Sequence, residues 1–174
     1  MKEIKKYPKI LIIIHWLTFL LFIFVFVVGN ILEDFNEKNF NTYRLHAIPG
    51  MLILVLTIIR IIIKRKNSNN LPAEISYYNK SHKLFVNIVM ILIYLLLILT
   101  PLVGFIMVYQ TGALNYDLGG PFPTGAELNK TLAELHEVLV KMLLALIAIH
   151  VSGVIIYKFK TGENLLKRIR LFLK

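Results

Sequence analysis

Four long apolar stretches, separated by polar ones, organise the chain. Residues 10–32 carry no charge, residues 45–63 only Arg60, residues 84–109 none, and residues 138–157 only Lys141. Each approaches or exceeds the roughly 20 apolar residues that cross a bilayer as a helix. They are apolar all round, which fits a soluble amphipathic bundle poorly. Within lipid the backbone has to satisfy its own hydrogen bonds, so the stretches are expected to be helices. The first is longer than the roughly 7–15 apolar residues of a signal peptide, and no A-x-A-like site follows it. Thr131-Leu132-Ala133-Glu134 has capping-box spacing and predicts the start of the last helix there. The expected helices are therefore about 10–32, 45–63, 84–109 and 131–157. Asn67-Ser68-Asn69-Asn70-Leu71-Pro72 reads as a polar linker, and residues 112–125, with Gly119-Gly120-Pro121 and Pro123, as a loop of turn residues. Pro49 and Pro101 fall inside spans, where a membrane helix tolerates proline. The expected fold is all-α: a single membrane-integral four-helix bundle over residues 1–174, with residues 158–174 a basic amphipathic tail on the inner leaflet.

Composition agrees: 57% hydrophobic and 17% charged residues, against about 45–50% and 25% in soluble domains. The net charge of +10 becomes informative once it is distributed. Lys2, Lys5, Lys6 and Lys9 precede the first span. Lys64, Arg65, Lys66, Lys80 and Lys83 lie between the second and third. Lys158, Lys160, Lys167, Arg168, Arg170 and Lys174 follow the fourth. The other two loops hold Lys38, Arg44 and Lys130 against Glu33, Asp34, Glu37, Asp117, Glu127, Glu134 and Glu137. The positive-inside rule then places both termini in the cytoplasm. Membrane topology accounts for the charge, so no nucleic-acid partner is expected and lipid is.

With no cysteine in the chain, thiolate metal sites, iron–sulfur clusters and covalently attached haem are excluded. The chemistry has to come from histidine. His15, His46, His136 and His150 lie in or at the ends of spans, where an ionisable group is a functional hypothesis by default. The topology places His15 and His150 near the cytoplasmic side and His46 and His136 near the outer side. His136 and His150 are fourteen residues apart, hence on nearly one helix face and about 21 Å apart along the axis. Two depth-matched pairs suit two bis-imidazole haems, whose irons the imidazoles would ligate. A lone histidine could instead bond a neighbouring helix. Zinc would require three or four ligands in one site, and a proton relay would use acidic residues deep in a span; none lies there. Arg60, fourteen residues after His46, either pairs a haem propionate or snorkels to the headgroups. Arg44 could serve the outer haem in the same way. Gly50, Gly104 and Gly153 allow either a macrocycle or a helix to approach. Trp16 either packs on the inner haem or anchors the interface. His82, at the start of the third span, reads as interfacial, or as part of a quinone site on the cytoplasmic side.

His15-Trp16, His46 with Gly50 and Arg60, Tyr94, Pro101, Gly104 and Tyr109, His136-Glu137, His150, and the closing Asn164-Leu165-Leu166-Lys167-Arg168 together resemble the bacterial cytochrome b561 family, the small four-helix di-haem b-type cytochromes. The resemblance runs nearly end to end. It implies that the four matching histidines ligate two haems b. Some members are superoxide oxidases that pass electrons to quinone. Many carry a His pair near the quinone where this chain has Tyr157-Lys158, and a His early in the third helix where it has Asn87 or Met90. The expected function is membrane electron transfer, as a superoxide:quinone oxidoreductase. The alternative is a cytochrome b membrane-anchor subunit taking electrons from a peripheral dehydrogenase or hydrogenase. The short tail, with no extra domain, favours the first. The acidic outer loops make a poor field for steering anionic superoxide.

Overall fold

The computed structural model describes residues 5–73, 75, 79–123 and 125–171; Lys2 and Lys174 of the basic set lie outside them. The described residues form helices and no strands: α1 (Lys9–Gly29), α2 (Phe40–Lys66), α3 (Lys80–Gln110), the short α4 (Ala113–Asp117) and α5 (Lys130–Thr161). The four long helices are each long and apolar enough to cross a membrane. Large apolar side chains such as Leu20, Ile31, Ile91 and Val138 are exposed, the arrangement expected when the solvent is lipid.

The helix ends depart from the hydropathy limits for local reasons. α1 stops at Gly29 although the apolar run continues to Leu32, because the Asn30 side chain donates to the Phe26 carbonyl at 2.7 Å and closes the last turn. α2 and α3 extend into polar sequence, since a charged turn is still helical at the headgroup level. The last helix starts before the expected capping box. The Asn129 side chain accepts from Leu132 N–H at 3.2 Å, and Asn129 is the cap in place of Thr131. α4 forms within the stretch read as loop, entered through Gly112 at φ +73°, a conformation that favours glycine.

α1 packs along α2, α2 along α3 and α3 along α5, while α1 and α5 share no extended contact. A buried layer of Phe22, Ile53, Leu96 and Leu143, one residue from each long helix, joins them at mid-height. Seven residues return within about 20° of the same helix face and advance about 10 Å. Counting by seven, His15, Phe22 and Gly29 share a face of α1. His46, Ile53 and Arg60 share one of α2, and His136, Leu143, His150 and Tyr157 one of α5. The apolar layer therefore lies midway between two levels of histidine.

At the basic end the described residues after α5 turn back onto the bundle. α5 runs on to Thr161, whose hydroxyl donates to the Tyr157 carbonyl. Gly162, at φ +73°, reverses the chain. A 3-10 turn, Leu165–Ile169, then folds back under the bundle, where the Arg168 carbonyl accepts Tyr7 N–H at 3.0 Å. Tyr7 and Arg168 thus meet at one end of the bundle.

Leu143→Ala removes a side chain that is 2% exposed from this central layer. It is expected to destabilise the fold by about 2–5 kcal/mol. Leu135→Ala, at 44% exposure on the same helix, should cost far less. Thermal unfolding of the two variants in detergent compares them directly.

Candidate functional site

The four membrane histidines come together in two pairs. His46 of α2 and His136 of α5 face each other with ring centroids 6.0 Å apart. Each is seated against a third helix in the same manner. His46 Nδ1 lies 3.0 Å from the Val25 carbonyl of α1, and His136 Nδ1 lies 3.0 Å from the Thr100 carbonyl of α3. A carbonyl only accepts, so each Nδ1 carries its proton and each Nε2 is a lone-pair donor. Four residues beyond each carbonyl stands a glycine. A Cβ on Gly29 would lie 2.8 Å from His46 Cε1, and one on Gly104 would lie 3.3 Å from His136 Cε1. The glycine at i+4 removes the atom that would keep an imidazole from reaching the carbonyl at i.

The second pair lies at the basic end. His15 and His150 are close enough to interact electrostatically with each other, and Arg60 with both. Arg60 Nη1 is 2.8 Å from His15 Nδ1. A guanidinium only donates, so here His15 Nδ1 accepts, the opposite of the arrangement at His46 and His136. The Arg60 guanidinium also lies 6.0 Å from the Tyr94 ring, beside Lys64 at 5.8 Å. Of the two roles open to Arg60, the structure turns it inward to the imidazoles.

The remaining expected residues fall in several places. The Trp16 ring is 5.5 Å from His15, and its indole N–H donates to the Ile169 carbonyl at 3.0 Å. It therefore ties down the C-terminal turn. Arg44 pairs with Asp117 of α4 at 2.9 Å. Gly50 and Gly153 meet nothing within 4 Å, whereas Gly104 seats an imidazole. Gly29, which sequence reasoning passed over, does the same; its signal was its place fourteen residues after His15, on the same face. His82 stands in the first turn of α3, its backbone N–H capped by Asn79, and belongs to neither pair. Tyr157 is buried and donates to Glu163 at 3.2 Å, while Lys158 is exposed.

Among the described residues no three His, Asp or Glu converge on a point, which leaves two-ligand sites. The His46–His136 pair, with free Nε2 atoms between apolar helices, is the donor set for a planar metal macrocycle that brings its own equatorial ligands. Residues 6–170 match the prokaryotic cytochrome b561 family. The chain belongs to that family. Cytochrome b561 proteins bind haem b in general and carry electrons in membranes, and this one is a multi-pass membrane member. A curated relative, the probable superoxide oxidase CybB of Yersinia pestis, is 27% identical over 174 residues, covering 95% of this chain and 96% of that protein.

The glycine seats make a graded prediction. Gly29→Ala, with its 2.8 Å contact, has to displace the His46 ring and break its bond to Val25. Gly104→Ala, at 3.3 Å, needs only a small shift. Thermal unfolding in detergent is expected to show a loss of about 1–3 kcal/mol for Gly29→Ala and a smaller one for Gly104→Ala.

Proposed function

We propose that this cytochrome b561 holds two haems b and carries electrons from a donor at its acidic end to a quinone at its basic end. His46 and His136 hold the outer haem, and His15 and His150 the inner one. By the positive-inside rule the basic end, with both termini, faces the cytoplasm of the inner membrane. The observation that carries the reading is the His46–His136 pair, facing at 6.0 Å with both Nδ1 atoms spent on backbone carbonyls. That second hydrogen bond orients a ligating imidazole and makes it a stronger donor. When bound, haem supplies one-electron chemistry that no side chain of this cysteine-free chain provides.

The residues around the pairs have defined tasks in this reading. Phe22, Ile53, Leu96 and Leu143 exclude water from the space between the two levels. A ligating His15 keeps its proton on Nδ1, so Arg60 has to release that atom, and a haem carboxylate is the acceptor suited to it. His82, Tyr157 and Lys158 mark the basic end, where quinone is reduced and takes up cytoplasmic protons.

Pyridine haemochrome quantitation of the purified protein is expected to give two haems b per chain. No haem in folded protein overturns the proposal, and one removes a pair. His150→Ala should lose the haem of the basic end alone; loss of the other would overturn the pairing.

Superoxide is the donor named for the Yersinia relative, and we propose it here. One observation favours the anchor-subunit alternative. Glu33, Asp34, Glu37, Glu127 and Glu134 are exposed at the outer end, and Arg44 there is paired with Asp117. An anion approaches such a face against its field. If superoxide is the donor, rapid mixing should show haem reduction that speeds up as salt screens the repulsion. Absence of reduction at every ionic strength would leave a protein donor.

A further inference from the structure

Helix packing leaves one junction to be explained. Contacts run from α1 to α2, α3 and α5 in turn, and α1 and α5 share no extended contact. Yet His15 belongs to α1 and His150 to α5. Some other element has to set their separation at the basic end.

We propose that residues 162–170 form a clasp that holds α5 to α1 around the inner histidine pair, with Arg168 as its positioning residue; retention of the inner haem then depends on the clasp, which in that respect rests on the di-haem reading. Arg168 Nη1 donates to the Ala73 carbonyl at 2.6 Å, and Nη2 to Glu163 Oε1 at 2.8 Å. The other oxygen of Glu163 accepts the Tyr157 hydroxyl at 3.2 Å. The Arg168 carbonyl accepts Tyr7 N–H, and the next carbonyl, of Ile169, accepts the Trp16 indole N–H, both at 3.0 Å. One short segment thus bonds to the start of α1, to the residue beside His15, to the α2–α3 linker, and to the α5 residue seven positions beyond His150.

Two features separate this clasp from a surface ion pair. The Arg168 side chain is only 16% exposed, so its charge-assisted bonds are screened far less than those of a surface pair. In addition, Arg168 Nε is buried and has no acceptor among the described residues. A buried unmet donor is costly, and the carboxylate of a haem seated beneath the clasp is the kind of group that satisfies it. The opposite side of the segment exposes Leu166, Lys167, Arg170 and Leu171, a face for anionic lipid, so the two sides have separate tasks.

The test compares haem release from purified holoprotein in detergent to apomyoglobin. The two haems are told apart by the spectra of His15→Ala and His46→Ala variants. Arg168→Ala should release the inner haem about tenfold faster, the loss of a charge-assisted bond set, and leave the outer haem unchanged. Trp16→Phe keeps an aromatic side chain and removes the indole N–H, and should act in the same direction by about threefold. Unchanged inner-haem release in both variants would overturn the proposal, as would equal acceleration of both haems, which marks a general folding role. Trypsin provides a readout that needs no haem. Cleavage after Lys167 should be faster in Arg168→Ala than in wild type, and equal resistance would refute the clasp even if the di-haem reading had already failed.

Discussion

A histidine inside a membrane has two ring nitrogens and one lone pair to offer, and the structure depends on how the other nitrogen is satisfied. In lipid no water stands ready for an unpaired N–H. At the acidic end the solution is a backbone carbonyl whose residue four positions on is glycine. Val25 with Gly29 serves His46, and Thr100 with Gly104 serves His136. The two helices that carry the imidazoles are thereby bound to the two that do not. This end of the bundle is assembled by the same bonds that prepare the Nε2 atoms. A substitution at either glycine affects packing and ligand together, because the same carbonyl bond fixes the ring and joins the helices.

The second constraint is helical register. A seven-residue step aligns His46, Ile53 and Arg60 on α2, and His136, Leu143, His150 and Tyr157 on α5. Two chemical levels and an apolar layer between them follow from that step, at about 10 Å each. A slip of α5 by two turns, one seven-residue step, would bring His150 opposite Ile53 and leave His46 facing Leu143. The buried layer of Phe22, Ile53, Leu96 and Leu143 is what opposes the slip. The packed core and the paired histidines are one repeat pattern seen at different heights.

The spans and the pairing of the four histidines by depth were legible in the sequence, because both need only helix geometry and the asymmetry of charge. What the sequence hid was any partner on a different element. Gly50 was weighed because it shares a helix face with His46, but the His46 ring lies against α1, so Gly29 is the glycine that matters. The Trp16 N–H serves a carbonyl 153 positions away, a partner that no local pattern signals. The mixed composition of the tail suits the inner leaflet, but it does not reveal that Gly162 turns the chain back or that Arg168 finds Ala73 and Glu163. Thr131 and Asn129 both suit a cap, and only the backbone at the end of the preceding loop decides between them.

The two pairs are not equivalent, and the difference has a direction. At the acidic end both Nδ1 atoms donate to carbonyls, which enriches the imidazoles as electron donors and favours the oxidised state of a bound metal. At the basic end the neighbour of His15 and His150 is the Arg60 guanidinium, with Lys64 also near the Tyr94 ring. A nearby cation in a low-dielectric interior favours the state with one electron more. If both pairs hold iron, the chain's own groups thus set the inner centre at the higher potential. Electrons that entered at the acidic end would then move downhill towards the basic one. That gradient requires no difference in ligand type, because all four ligands are histidine. It would come from a carbonyl in one place and, in the other, from whatever part of the Arg60 charge a paired carboxylate leaves uncompensated.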